Sequence, residues 1–343
     1  MTTRKRILLL AAAGVAAVSI GAGFAFARTG STAAIGSGIV VVDTKLGYQS
    51  SAAAGTGIVL TSSGEVLTNN HVINGSTSVT VVVPGTSHRY AATVVGYDRS
   101  ADVAVLQLKN ASNLKTAALG DSATVKPGDS VKARGNAGGT GTLSVSSGSV
   151  VGLGKSITAG DDQGGSERLT GLIETSVPLE PGDSGGPLLA GSGRVVGMNT
   201  ATSTGFAFQA ASAADSYAIP IDTALAVAKH VESGDATTAI HVGATAFLGV
   251  EVQPVATGYG FGYGGTSAGA AIAGVVGSGP AAEAGLTPGD VITAFAGHTV
   301  SSPTALTTLV LAQKPGAKVA VTYLDQEGTK HVTTVTLGSG PSQ

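Results

Sequence analysis

The sequence contains no cysteine and no tryptophan, and Asp, Glu, Lys and Arg together make up only 12% of its 343 residues. Each shortage removes a class of chemistry. Without cysteine there is no disulfide, no thiolate nucleophile and no zinc–thiolate site. A chain of this length does not need disulfides to hold a core, so their absence says nothing of compartment. The formal net charge is -2, and no dense basic run marks a nucleic-acid surface. Aromatic residues are scarce at 4%, whereas glycine is abundant at 52 residues, as suits a turn-rich β protein. What is plentiful is apolar aliphatic residue: 43% of the chain is hydrophobic, which excludes a highly charged disordered polymer. The length suggests about two domains.

Arg4, Lys5 and Arg6 precede an uncharged stretch from Ile7 to Ala27 that closes on Ala25-Phe26-Ala27. A short basic start, an apolar run and an A-x-A ending are the layout of a secretory signal peptide, so residues 1–27 are expected to be a signal peptide. An uncleaved membrane anchor is the competing reading, because the run could cross a bilayer. Either way the remainder is expected outside the cytoplasm, secreted or in the cell envelope, with membrane contact only if the leader stays attached.

From Ile39 to about Pro220 the chain reads as short strands, such as Ile58 to Leu60, Val79 to Val83, Ala92 to Val95, Val103 to Leu108 and Val195 to Met198. Gly, Ser, Asn and Asp punctuate them, which points to a barrel or sandwich and not to βαβ units. A helix is expected over Thr223 to Ser233, with Asp222 as its N-cap and Gly234 as its stop. The polar stretch after it reads as a linker, 233–244. A second domain, 245–338, begins with strand-like residues, carries a Gly/Tyr-rich insert over Thr257 to Gly269, and has helix starts at Pro280 and Ser302.

The chemistry centres on Gly182-Asp183-Ser184-Gly185-Gly186-Pro187. A serine hydroxyl near neutral pH needs an adjacent base, and its reaction needs N–H groups aimed at the oxygen that becomes negative. Glycines let the chain turn sharply enough for the N–H groups of Gly182 and Ser184 to converge as an oxyanion hole. Of six histidines only His71 has a patterned setting, where the strand-like Glu65 to Thr68 runs into Asn69 and Asn70 and delivers an imidazole at a strand end. Asp102, directly before Val103 to Leu106, is the candidate to hold that imidazole; Asp98, beside Arg99, reads as a turn residue. The acids Asp161 and Asp162 lack calcium-loop spacing, so no metal and no cofactor is expected.

The order His, Asp, Ser with a GDSGGP hexapeptide resembles the trypsin-like serine proteases. Gly55 to Leu60, Leu67 to Ile73, Asp102 to Leu106 and Val196 to Thr200 resemble, more narrowly, the HtrA/DegP branch with one C-terminal PDZ domain, in the form found in secreted actinobacterial proteases. The resemblance covers nearly all of the chain beyond the leader. It implies a mainly β fold: a trypsin-like double β-barrel over 28–232 followed by an α+β PDZ domain. It also implies a serine endopeptidase that cleaves unfolded or misfolded polypeptides. Two departures matter. Asp183 occupies a position usually held by Asn in that branch, and its role is open. Pro178 stands six residues before Ser184, where trypsin carries its specificity acid. The implied S1 pocket, Ser176, Pro178, Leu179, Tyr217 and Ala218, is therefore expected to take an aliphatic side chain. Phe247-Leu248-Gly249-Val250 resembles a PDZ carboxylate-binding loop, so peptide C-termini are expected partners alongside polypeptide substrates. Homo-oligomers occur among such relatives, and self-association is compatible with the sequence. Two other readings deserve weight. A peptide-binding or chaperone protein with latent protease activity would use the second domain alone. An α/β-hydrolase esterase is disfavoured because its His would come last.

Overall fold

β-Branched residues fill the apolar runs, and such side chains favour extended backbone. In the computed structural model, which describes residues 37–160, 166–200, 216–255 and 268–342, these runs build two closed six-stranded barrels. The leader, Asp161, Asp162 and most of the Gly/Tyr-rich insert lie outside the described residues. The first barrel comprises β1 (Ile39–Leu46), β2 (Ser51–Val59), β3 (Glu65–Thr68), β4 (Ser78–Val82), β5 (Arg89–Asp98) and β6 (Val103–Leu108), in spatial order β1-β2-β3-β6-β5-β4. A single helical turn, α1 (Asn70–Ile73), follows β3. The second barrel comprises β7 (Ser130–Gly135), β8 (Ser144–Gly160), β9 (Ser166–Thr175), β10 (Pro187–Ala190), β11 (Val195–Asn199) and β12 (Ser216–Pro220).

A helix, α2 (Ile221–Ser233), covers the junction. This cover explains why several strands are apolar on both faces instead of alternating. In β6, Ala104 and Leu106 point into the first barrel, whereas Val103 and Val105 pack with Leu169, Met198, Ile219 and the α2 residues Ala224, Val227 and Val231. Val66 and Leu67 of β3 divide in the same way. Gly234 ends α2 in the left-handed region at φ 76°, as the sequence suggested. The helix opens before the expected cap, at Pro220; Asp222 lies in its first turn, and its carboxylate instead accepts the Ser122 N–H at 2.9 Å. A short strand, β13 (Ile240–Val242), then adds to β5.

The C-terminal part has its own core of Leu248, Ile272, Leu286, Ile292, Phe295, Leu306, Val321 and Val335. Its elements are β14 (Ala246–Phe247), β15 (Val250–Pro254), β16 (Ala270–Val275), α3 (Pro280–Glu283), β17 (Val291–Phe295), β18 (His298–Thr299), α4 (Pro303–Leu311), β19 (Lys318–Leu324), β20 (Lys330–Thr336) and β21 (Gly338–Ser339). The main sheet runs β15-β16-β17-β19-β20, so β15 is an edge strand with α4 against it. Ser302 caps α4 by accepting the Ala305 N–H at 3.1 Å. The chain then returns to the first barrel: Ser342 is 6% exposed, accepts the Gly75 N–H at 2.7 Å and donates its hydroxyl to the Ile73 carbonyl at 2.8 Å.

Candidate active site

The base is built first, because its parts lie on one barrel. β3 ends at Thr68, and the one-turn α1 carries His71, so the imidazole stands on a helical turn beyond the strand end rather than on the strand. Asp102 faces it from the turn before β6. The His71 backbone N–H donates to Asp102 Oδ1 at 3.0 Å, and His71 Nδ1 lies 2.9 Å from Asp102 Oδ2. A carboxylate only accepts, so the proton resides on Nδ1 and the Nε2 lone pair is left to take another. The imidazole side chain is 32% exposed and the carboxylate 6%, so the base meets solvent and its orienting partner does not.

Two residues that sequence reasoning passed over complete the support. Thr200, at the end of β11 in the second barrel, donates its hydroxyl to Asp102 Oδ2 at 2.9 Å. Asn69, buried, donates its amide to the Asp102 carbonyl at 2.9 Å. Asp102 needs that hold: its φ of 54° is left-handed, a conformation that costs an ordinary residue about 1–3 kcal/mol. Asp98 is the turn residue that was expected, accepting Ser100 Oγ at 2.7 Å and the Ala101 N–H at 3.1 Å.

The nucleophile turn lies between β9 and β10. Gly182 has φ 97°, and a Cβ there would collide with the Asn136 carbonyl, so only glycine fits. Asp183 is 2% exposed; its Oδ2 accepts the Glu180 N–H at 2.9 Å, and its own N–H returns to the Glu180 carbonyl at 3.0 Å. This assigns Asp183 a structural place as the clasp of the turn. Ser184 is 4% exposed, and its carbonyl accepts the Thr56 N–H of β2 at 2.8 Å. A Cβ on Gly185 would strike Thr56, Thr68 and, at 3.2 Å, the Asn69 nitrogen. The turn therefore packs on the first barrel within two residues of His71.

The expected pocket residues are spread more widely. The Ser176 hydroxyl accepts the Ser149 N–H at 3.0 Å, Pro178 is exposed, and Leu179 is half-buried against the second-barrel core. Tyr217 and Ala218 are neighbours on β12 and face opposite ways: Tyr217 packs towards the core under α2, and Ala218 is buried in the second barrel. Residues 201–215, which lead from Thr200 into β12, lie outside the described residues. In the C-terminal part, Leu248 is a core residue, Gly249 has φ 82°, and Val250 opens the edge strand β15. The Phe247 ring stacks on Tyr48 of the first barrel with centroids 5.2 Å apart.

A second carboxyl group stands out at the barrel junction. Glu65 shares the outer face of β3 with Leu67, and α2 covers that face. Partial burial and the neighbouring Glu232 of α2 push the Glu65 carboxyl up to about 7. Among the described residues, no group of three or more His, Cys, Asp or Glu is placed to hold a metal ion.

Residues 55–198 match the family described as a trypsin-like peptidase domain, and residues 246–336 match a PDZ domain. A probable periplasmic serine endoprotease DegP-like from Halomonas elongata is 34% identical over 84% of this chain and 56% of its own length. The serine protease PepD of Mycobacterium tuberculosis is 33% identical over 88% of this chain and 63% of its own length. The chain thus spans little more than half the length of curated relatives it matches. A solved structure described as an HtrA-type protease AlgW with tripeptide is 30% identical, with 89% of this chain and 95% of that chain aligned at a TM-score of 0.48.

Proposed function

Since the chain belongs to the HtrA/DegP-like trypsin-fold serine proteases with one C-terminal PDZ domain, we propose that it is an extracytoplasmic serine endopeptidase acting through His71, Asp102 and Ser184. The observation that carries the reading is the Asp102–His71 pair, with the Nδ1 proton held by the carboxylate and the serine turn packed two residues away.

In this mechanism Ser184 Oγ attacks the carbonyl carbon of a peptide bond while His71 Nε2 takes its proton. The N–H groups of Gly182 and Ser184 receive the negative oxygen, and the imidazolium formed at His71 is stabilised by Asp102. His71 then gives its proton to the leaving amine. The acyl-enzyme is hydrolysed by water, with His71 again as base. Pro178 leaves the S1 position without charge, so the side chain accepted there is aliphatic. Leu179 and Ser176 form one wall, and the backbone of β12 at Tyr217 and Ala218 the other.

Chain organisation follows the same reading: a signal peptide or membrane anchor over 1–27, the protease over 28–232, a linker over 233–244 and the PDZ domain over 245–338. The edge strand β15 supports peptide capture by strand addition, with the carboxylate at the Phe247-Leu248-Gly249-Val250 loop. Substrates are unfolded polypeptides outside the cytoplasm, as the periplasmic description of a relative suggests. The test is casein digestion by the secreted protein and by its Ser184→Ala variant. Loss of cleavage with retained peptide binding supports the peptidase. Equal clearance by both proteins overturns it.

A further inference from the structure

We propose that Thr56 is a positioning residue for the oxyanion hole, its hydroxyl holding the Gly182 carbonyl so that the flanking N–H groups keep their aim. The proposal rests on the peptidase reading above.

The need for such a residue comes from Gly182 itself. The left-handed φ of 97° requires glycine, and the same freedom makes the peptide planes on either side of it easy to turn over. In a trans peptide the carbonyl and the N–H point in opposite directions, so the direction of each N–H is fixed by what its carbonyl partner accepts. The carbonyls of the turn are all engaged. Pro181 O accepts the Gly138 N–H at 2.8 Å, Asp183 O accepts the Gly186 N–H at 3.0 Å, and Ser184 O accepts the Thr56 N–H at 2.8 Å. The remaining one, Gly182 O, accepts the Thr56 hydroxyl at 2.7 Å.

Thr56 is fully buried, and its hydroxyl works in both directions: it donates to Gly182 O and accepts the Asn136 N–H at 2.9 Å. Its carbonyl accepts the Thr68 hydroxyl at 2.8 Å, which ties the same residue to the strand that leads to His71. One side chain on β2 thus joins the first barrel to the turn at 136 and to the turn that carries Ser184. The substrate is never touched; the effect passes through the Gly182–Asp183 peptide plane. Since the hydroxyl only needs to reach Gly182 O and Asn136 N, serine can replace it. Valine, nearly the same shape, cannot.

The experiment is steady-state kinetics on a peptide substrate for Thr56→Val, Thr56→Ser and Thr56→Cys in the otherwise intact secreted protein. Thr56→Val should lose about 30-fold in kcat with KM changed by less than about 3-fold, because a misaimed donor is felt chiefly in the transition state. Thr56→Ser should stay within about 3-fold of wild type, and Thr56→Cys, a weak donor, should fall between. The affinity of a peptide aldehyde, whose tetrahedral adduct needs the hole, should fall in step with kcat/KM. The pH midpoint of kcat/KM should not move, since His71 and Asp102 keep their contacts. If Thr56→Val does not fold, Thr56→Cys against Thr56→Ser carries the same comparison. An unchanged kcat in the hydroxyl-free variant, a loss confined to KM, or equal damage by serine would overturn the proposal. A wild-type protein that neither cleaves peptides nor reacts at Ser184 would remove the peptidase reading and this proposal with it; Thr56 effects are read only on an active wild type.

Discussion

The two barrels contribute to the site in opposite ways. The first barrel makes the proposed catalytic pair locally: His71 and Asp102 sit at the ends of neighbouring strands, and Asn69, two residues from His71, anchors the Asp102 carbonyl. The second barrel supplies Ser184 on a glycine turn whose conformation is borrowed, because Thr56 of the first barrel bonds the carbonyls on both sides of Asp183. The second barrel repays the contact through Thr200, which bonds the Asp102 carboxylate. The His71–Asp102 pair is assembled within one barrel, whereas the glycine turn that carries Ser184 takes its support from the other barrel. The site is therefore as good as the junction, which α2 and the apolar outer faces of β3 and β6 hold together.

Three substitutions break or sharpen that contrast. Asp102→Asn, which leaves the first-barrel geometry in place but favours the wrong imidazole tautomer, should lower kcat about 10⁴-fold at neutral pH. Kinetics across pH would check this, and a loss below about 10-fold would mean that the pair is structural. Asn69→Leu removes the hold on the strained Asp102 backbone. It should reduce kcat/KM about 10-fold and cost about 1–3 kcal/mol in denaturant unfolding, since a buried carbonyl loses its donor. No change in either would show that the left-handed turn holds itself.

The smallest effect tests the junction. Glu65 binds its proton more tightly folded than unfolded, its carboxyl being raised from 4.5 to about 7. The folded state therefore holds the extra proton between those values, and stability from this group falls as pH rises through that window. Glu65→Gln should match wild type near pH 4 and be more stable near pH 8 by about 1 kcal/mol, the full linkage value being reduced because the group is partly solvated. Denaturant melts at the two pH values decide it; a variant less stable at pH 8 than wild type would contradict the assignment.

Much of this was legible in the sequence. The run Val103 to Leu106 reads as a buried strand because both of its faces are covered, and Asp102 before it and His71 beyond Thr68 follow from strand-end placement. The hexapeptide around Ser184 needs its glycines for the turn. What stayed hidden has a common cause. The Thr56–Gly182 bond joins residues 126 apart, and nothing local in Gly55-Thr56-Gly57 announces a partner in the other barrel. Thr200 was visible only as a strand end. The long hairpin β8–β9 escaped because its serines and glycines look like loop residues, and pairing along Ser144–Gly160 is what makes them strand. The opposite facing of Tyr217 and Ala218 depends on the phase of β12, which five residues fix only once β9 is paired beside them.

The most direct measurement is covalent labelling of the folded protein with a fluorophosphonate, followed by peptide mapping, for wild type and His71→Ala. Adduct on Ser184 alone, with the rate reduced at least about 10³-fold in the variant, is the expected result, because the hydroxyl reacts only when an imidazole takes its proton. Labelling at another residue, or equal rates with and without the imidazole, would contradict the account.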